Sequence, residues 1–196
     1  MDFAAWFPMV AFVTASTITP GPNSIMIMAS GVNFGFRSTV PHILGVAVGI
    51  TLVISLAGIG IGAILDLFPV ARWTLLAAST VYLLYLAWKI ANAAPPAEAD
   101  AAGTPLTFVQ ALLFQAVNPK VWALGMAAVA LFAPGFAPAS VVFVALTFAG
   151  VGLLSNSAWG WFGTVIRRYL STGRRLKTFN IVAALALVAS LAPALF

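Results

Sequence analysis

The sequence predicts an all-α polytopic membrane protein with six transmembrane helices. Of its 196 residues, 62% are hydrophobic and only 7% are charged, and the mean hydropathy is +1.07. A soluble domain of this size would need far more polar surface. Several uncharged windows are long enough to cross a bilayer as helices, which takes about 20 residues. The chain shows none of the alternating segments that barrel strands would require.

The uncharged windows place the six spans at about residues 4–32, 39–65, 71–91, 106–132, 139–166 and 179–195. A polar stretch rich in proline and alanine lies between the third and fourth spans, and we interpret it as a linker. The predicted organisation of the single membrane domain is a first three-helix repeat at 1–92, a linker at 93–105 and a second three-helix repeat at 106–196. Three is an odd number of crossings, so the second repeat is expected to be inverted relative to the first.

Basic residues predict the orientation, because cytoplasmic loops carry an excess of Lys and Arg. With six spans, one side of the membrane carries Arg37, Lys89 and a cluster of five basic residues between 167 and 177. That side is expected to be cytoplasmic, which places both termini outside. The same cluster explains the pI near 10.3, and no nucleic-acid partner is expected.

The composition also excludes several kinds of chemistry. The chain has no cysteine, one histidine and four acidic residues, so disulfides and thiol redox chemistry are excluded. The histidine and the acids lack the spacing of a metal site. We therefore expect no metal, no cofactor and no enzymatic activity.

The first span is predicted to break at Thr19-Pro20-Gly21-Pro22-Asn23. The uncharged stretch around this motif would measure roughly 50 Å as one helix, against a hydrocarbon core of about 30 Å. Because proline lacks an N–H, the two prolines should free the carbonyls of Ser16 and Ile18. Such backbone survives at membrane depth only when it is buried in protein or lines a cavity.

A new helix is expected to begin at Pro22, capped by Asn23 or Ser24. Its free N–H groups would suit a carboxylate, and the freed carbonyls would suit an ammonium group. Together they match the two ends of a zwitterionic amino acid. The alternative interpretation is a kink that only eases packing.

The fourth span contains a second break at Asn118-Pro119-Lys120, which should leave Gln115 with a free carbonyl. A lysine at the bilayer centre costs about 2.5–3.5 kcal/mol on insertion scales and usually faces a cavity or a partner. Lys120 therefore either attracts a substrate carboxylate or reaches a membrane interface, if the span begins later. The sequence leaves both possibilities open.

Three further features are notable, and the first two carry two interpretations each. Asn156 in the fifth span either bonds across helices or lines the pathway. His42 is either an interfacial histidine or a proton site. Gly45 and Gly49 are expected to allow close helix packing. The candidate substrate-binding residues are Ser16, Thr19, Pro20, Gly21, Pro22, Asn23, Gln115, Asn118, Pro119, Lys120 and Asn156.

The chain resembles the LysE/RhtB-type amino-acid exporter family along nearly its whole length. The resemblance rests on the two proline motifs, on Gly35-Phe36-Arg37, on Gly45 and Gly49, and on Tyr82-Leu83-Leu84-Tyr85-Leu86 ahead of Lys89. One departure is Ala87, where the family pattern suggests glycine.

The resemblance implies a bacterial inner-membrane protein that exports amino acids or close derivatives, driven by the proton motive force. Neutral substrates are favoured, because no acidic residue lies firmly within a span, and Met26 and Met28 are candidates for an apolar wall. The expected partners are the substrate and the lipid bilayer, and homo-oligomerisation is left open. Two alternatives remain, export of another small solute and a non-transporting assembly or scaffold role.

Overall fold

The computed structural model describes residues 3–60, 67–93, 104–170 and 173–192, and every regular element within these ranges is helical. The α-helices are α1 (Phe3–Ile18), α2 (Pro22–Phe34), α3 (Phe36–Gly58), α4 (Pro69–Ala91), α5 (Phe108–Val117), α6 (Pro119–Phe132), α7 (Pro138–Arg167) and α8 (Gly173–Ala189). A single 3₁₀ turn, Pro134–Phe136, joins α6 to α7.

Three stretches are long and apolar enough to cross a membrane alone: Phe36–Gly58, Trp73–Ala91 and Pro138–Arg167. Helices α5 and α6 together meet the same criteria as a pair bent by 67°. These findings confirm a helical membrane protein. The six-span arrangement stays a prediction, because α8 is only 17 residues long and the apolar part of α1, Trp6–Ile18, is shorter still.

Some predicted boundaries are different in the structure. Helix α8 begins at Gly173, six residues before the predicted start at 179, so the end of the basic cluster belongs to a helix. Arg, Leu and Lys are good helix formers, and the long charged side chains reach outward from the first turns. The predicted end of the second span and most of the predicted linker lie outside the described residues, as do all four acidic residues.

The two long helices α3 and α7 form the centre of the packing. They pack against each other, α1 and α2 pack on α7, α5 and α6 pack on α3, and α4 packs on α8. The broken helix of each half of the chain therefore lies against the long helix of the other half.

Glycines bring these helices close together. A Cβ at Gly31 of α2 would overlap the backbone carbonyl of Gly160 in α7. A Cβ at Gly45 of α3 would overlap the carbonyl of Phe108, and one at Gly49 would lie 2.5 Å from the side chain of Gln115. The packing role expected for Gly45 and Gly49 is confirmed. Gly35, which joins α2 to α3, has a φ of +81°, a conformation that favours glycine.

Candidate functional site

A cavity lined by both polar and apolar residues lies beside the two helix breaks. It holds about 500 Å³ of empty space, counting its open mouth. Helices α1, α2, α3, α6 and α7 all contribute to its wall, so residues from both halves of the chain face it. The lining residues are Ser16, Thr17, Gly21, Pro22, Asn23, Ser24, Ile50, Ile54, Asn118, Lys120, Val121, Leu124, Phe148 and Asn156.

The first break separates α1 from α2. Gly21 is the N-cap of α2, with extended backbone (φ −162°, ψ −175°), and Pro22 is the first helical residue. No side chain caps this end, so the predicted cap from Asn23 or Ser24 is wrong. The amide of Asn23 is engaged elsewhere, because it bonds to Gln115.

Side chains from the second half of the chain bond to the carbonyls at this break. The hydroxyl of Ser155 donates to the carbonyl of Thr17 at 2.9 Å, and the ammonium of Lys120 donates to the carbonyl of Thr19 at 3.0 Å. Both carbonyls lack the helical partner four residues on, because the chain leaves the helix after Ile18. Sequence analysis identified Ser16 and Ile18 as the freed carbonyls and missed these two.

The second break is a single residue, Asn118, which itself makes several of the hydrogen bonds at the break. Its side-chain oxygen accepts from the N–H of Lys120 at 3.1 Å and so caps α6. Its own N–H donates to the carbonyl of Gln115 at 3.2 Å, so the prediction that this carbonyl is free is wrong. Because the break is only one residue long, the N–H of Asn118 still reaches the carbonyl of Gln115. The indole of Trp122 donates to the carbonyl of Ala116 at 2.8 Å.

Lys120 joins the two breaks. It is half-buried, its side chain lines the cavity, and its ammonium bonds across 101 residues of sequence to Thr19. The approach is close, because a Cβ at Gly21 would lie 2.8 Å from Nζ. In the structure Lys120 lies beside the cavity, which is one of the two locations that the sequence left open.

A pair of amides links the start of α2 to α5. Asn23 Nδ2 donates to Gln115 Oε1 at 2.8 Å, and Gln115 Nε2 donates to Asn23 Oδ1 at 3.1 Å. Gln115 also donates to the carbonyl of Ala111 and is fully buried. It therefore positions Asn23 at the cavity without lining the cavity itself.

Seven of the eleven candidate residues line this cavity: Ser16, Gly21, Pro22, Asn23, Asn118, Lys120 and Asn156. The other four do not. Thr19 and Pro20 are exposed in the break, Gln115 is buried behind Asn23, and Pro119 is the first residue of α6. The expected lining by Met26 and Met28 is wrong for this cavity, since neither residue lines it.

The cavity combines one cation with uncharged polar groups and an apolar wall. The amide of Asn156 lines it and makes no hydrogen bond to the described part of the chain. Ile50, Ile54, Leu124 and Phe148 supply the apolar wall, which sequence analysis missed. No group of His, Cys, Asp and Glu suited to a metal is found among the residues that the structure describes.

The helices described above define a multi-pass helical membrane protein. Residues 4–192 match the family model described as LysE type translocator. The chain belongs to the LysE family, and the resemblance noted from the sequence is confirmed.

Curated relatives cover most of the chain. The cysteine/O-acetylserine efflux protein of Escherichia coli (strain K12) is 34% identical over 182 residues, which is 90% of each chain. The proteins of the same name from Shigella flexneri and Shigella sonnei (strain Ss046) show the same identity and coverage. No solved structure matches the chain.

Proposed function

We propose that this protein exports small neutral amino acids or close derivatives from the cytoplasm of a bacterium. The observation that carries the proposal is the position of Lys120, whose ammonium lies at a cavity between the two helix breaks. A cation there attracts the substrate carboxylate, and Asn23 and Asn156 offer hydrogen bonds to its other polar groups. The apolar wall accepts a short uncharged side chain.

The choice of neutral substrates has two supports. Lys and Arg side chains on the cargo would need an acidic partner, and the sequence has no acidic residue firmly within a predicted span. The E. coli and Shigella relatives are named for cysteine and O-acetylserine, which both have small uncharged side chains. We extend that substrate class to this chain.

The proposed mechanism is alternating access around the cavity, with the two halves as inverted repeats of three spans each. The packing supports this scheme. The broken helix of the first half, α1–α2, packs on α7, and the broken helix of the second half, α5–α6, packs on α3. Exchanging the two halves therefore turns one of these contacts into the other. The same exchange leaves the pairs α3–α7 and α4–α8 in place. Rocking one half against the other would open the cavity to one side of the membrane at a time. We assign the energy source to the proton motive force.

The function is tested by efflux from cells preloaded with a panel of labelled amino acids that includes cysteine and O-acetylserine. Cells producing the protein should lose one neutral class faster than cells without it, and a protonophore should abolish the difference. Equal loss across the panel, with the protein present in the membrane, would contradict export of amino acids. It would favour a different solute or the scaffold alternative.

The orientation in the inner membrane is tested by labelling, because the chain has no native cysteine. Gly173→Cys adds a thiol at the start of α8, where a Cβ meets nothing within 4 Å. In intact cells this thiol should resist an impermeant reagent and should react once the cytoplasmic face is exposed. Ready labelling from outside would reverse the assigned orientation.

A further inference from the structure

A second cavity lies near the other end of α2. It encloses about 430 Å³ of empty space, mouth included, between α2, α3, α4 and the segment ahead of α5. Polar groups from four elements line it: Ser30, Asn33, His42, Lys89 and Thr104. By the charge rule used above, Lys89 lies on the cytoplasmic side.

His42 is the most unusual of these groups. It is 1% exposed, and neither ring nitrogen has a hydrogen-bond partner among the described residues. Burying a polar group without a partner is costly, and such a group in a native protein calls for a specific explanation. A neutral imidazole offers one donor nitrogen and one acceptor nitrogen, and both are buried, so a ligand in the cavity reaches either one only if the ring turns towards it.

The neighbouring polar groups are already paired. The hydroxyls of Ser30 and Thr39 bond to each other at 2.8 Å. The amide of Asn33 donates to Asn180 Oδ1 at 2.9 Å and accepts from Asn180 Nδ2 at 3.1 Å. These pairs fix the wall of the cavity, whereas His42 has no partner among the residues that the structure describes.

Lys89 supplies the charge. Among the described residues its ammonium makes one long contact, 3.5 Å to the carbonyl of Thr104. Lys89 and His42 therefore offer a cation and a neutral acceptor in the same cavity. Met26, Leu86, Ile90 and Leu106 provide apolar surface beside them.

We propose that the second cavity is an entry site where the exported amino acid binds before it reaches the helix breaks. Lys89 binds the carboxylate and the imidazole of His42 accepts from the ammonium group. This inference rests on the proposed export function and adds a second, cytoplasmic binding site to it. The first cavity lies at the N-terminus of α2 and the second along its C-terminal half, so α2 forms a wall of both.

The entry site is tested by protection of an introduced thiol. Thr104 is exposed and lines the cavity, and only its backbone carbonyl is bonded, so Thr104→Cys places a thiol at the site with little disturbance. In inside-out vesicles, O-acetyl-L-serine should slow labelling by an impermeant maleimide, about fourfold at three times its Kd. Thr178→Cys, an exposed threonine of α8 that does not line the cavity, is the matched control and should label at an unchanged rate.

Acetate at the same concentration separates an amino-acid site from a general anion site. Protection by O-acetyl-L-serine without protection by acetate supports the entry site. Equal protection by both, or none by either, overturns it. The efflux assay on the wild-type protein distinguishes this failure from failure of the export function.

Kinetics provide a second readout. Lys89→Met and His42→Leu should each raise the internal O-acetylserine concentration for half-maximal efflux about tenfold, as expected for loss of a charge-assisted hydrogen bond. The maximal rate should change little, and His42→Gln, which keeps a donor and an acceptor, should recover part of the loss. Ser79→Ala is the control, because Ser79 is also buried without a partner but does not line the cavity. An unchanged half-maximal concentration in both Lys89→Met and His42→Leu would overturn the proposal.

Discussion

The two helix breaks of this molecule satisfy their backbone in opposite ways. At the second break, Asn118 caps α6 with its own side chain, and Trp122 bonds to the nearby carbonyl of Ala116. At the first break, the donors come from far along the chain, Lys120 to Thr19 and Ser155 to Thr17. The second break is therefore a local structure, whereas the first depends on the opposite half of the protein.

This difference indicates where motion between the halves would be felt. If the two halves move during transport, the Lys120–Thr19 and Ser155–Thr17 hydrogen bonds must stretch or exchange partners. The bonds around Asn118 lie within one half and would travel with it. A substrate carboxylate that engages Lys120 would compete with the Thr19 carbonyl, which connects binding at the cavity to the contact between halves.

The largest expected effect comes from removing the cation that joins the breaks. Lys120→Met should lower efflux by at least about tenfold, since the substrate carboxylate loses a charged partner. Lys177→Met is the matched control, because Lys177 also donates to a backbone carbonyl, that of Ala91, but lies outside the cavity. Efflux from preloaded cells, corrected for the amount of protein in the membrane, measures both. Normal efflux by Lys120→Met would remove the residue from the site.

A second substitution disturbs the packing that holds the first break against the other half. In Gly31→Ala the new methyl group meets the carbonyl of Gly160 in α7, so backbone must shift. Overpacking of this kind costs about 1–3 kcal/mol, which should lower the unfolding midpoint in detergent by several degrees. Gly150→Ala in α7 meets nothing within 4 Å and should leave the midpoint unchanged or slightly raised. Equal midpoints for the two variants would show that α2 and α7 do not approach so closely.

The local character of the second break predicts a smaller effect. Asn118→Ala removes the cap of α6 and should cost about 1 kcal/mol of unfolding free energy. Asn118→Ser keeps a capping oxygen and should recover most of that loss. Thermal unfolding of the three proteins checks this, and identical losses in the two variants would argue against a capping role.

The smallest expected effect is at Asn156. Its amide makes no hydrogen bond to the described residues and lines the cavity. Asn156→Ala should leave the unfolding midpoint unchanged and lower efflux about threefold, the loss expected for one uncharged hydrogen bond to the substrate. A lowered midpoint with normal efflux would instead indicate a packing role.

The sequence predicted the positions of the breaks well and their surroundings poorly. Proline removes a backbone donor wherever it stands, but Pro8 and Pro41 lie inside continuous helices, so proline alone does not break a helix. The breaks beside Pro22 and Pro119 follow from local chemistry because glycine or asparagine stands directly before the proline. The apolar wall of the cavity does not follow from local chemistry. Ile50 faces the cavity, whereas Leu52 faces outward and is 49% exposed, although both are large aliphatic residues. Only the packing of α3 against α6 and α7 distinguishes them.

Long-range pairs were also out of reach. Nothing near Asn23 indicates that its partner is Gln115, 92 residues away. For Lys120 the sequence left two locations open, since a lysine in a long apolar segment either reaches an interface or faces a cavity. The structure adds that Lys120 lies at the cavity beside both breaks.

The most direct measurement is a double-mutant cycle on the contact between the breaks. Gly21→Ala, Lys120→Ala and the double variant are compared with the wild type by thermal unfolding in detergent. A methyl group at Gly21 displaces the Lys120 ammonium, 2.8 Å away, so Gly21→Ala should lower the midpoint by about 2–4 °C for each kcal/mol lost. In the Lys120→Ala background the same substitution should lower the midpoint by less, since only the loss of the N-cap glycine remains. Equal shifts in both backgrounds would mean that Lys120 does not join the two breaks.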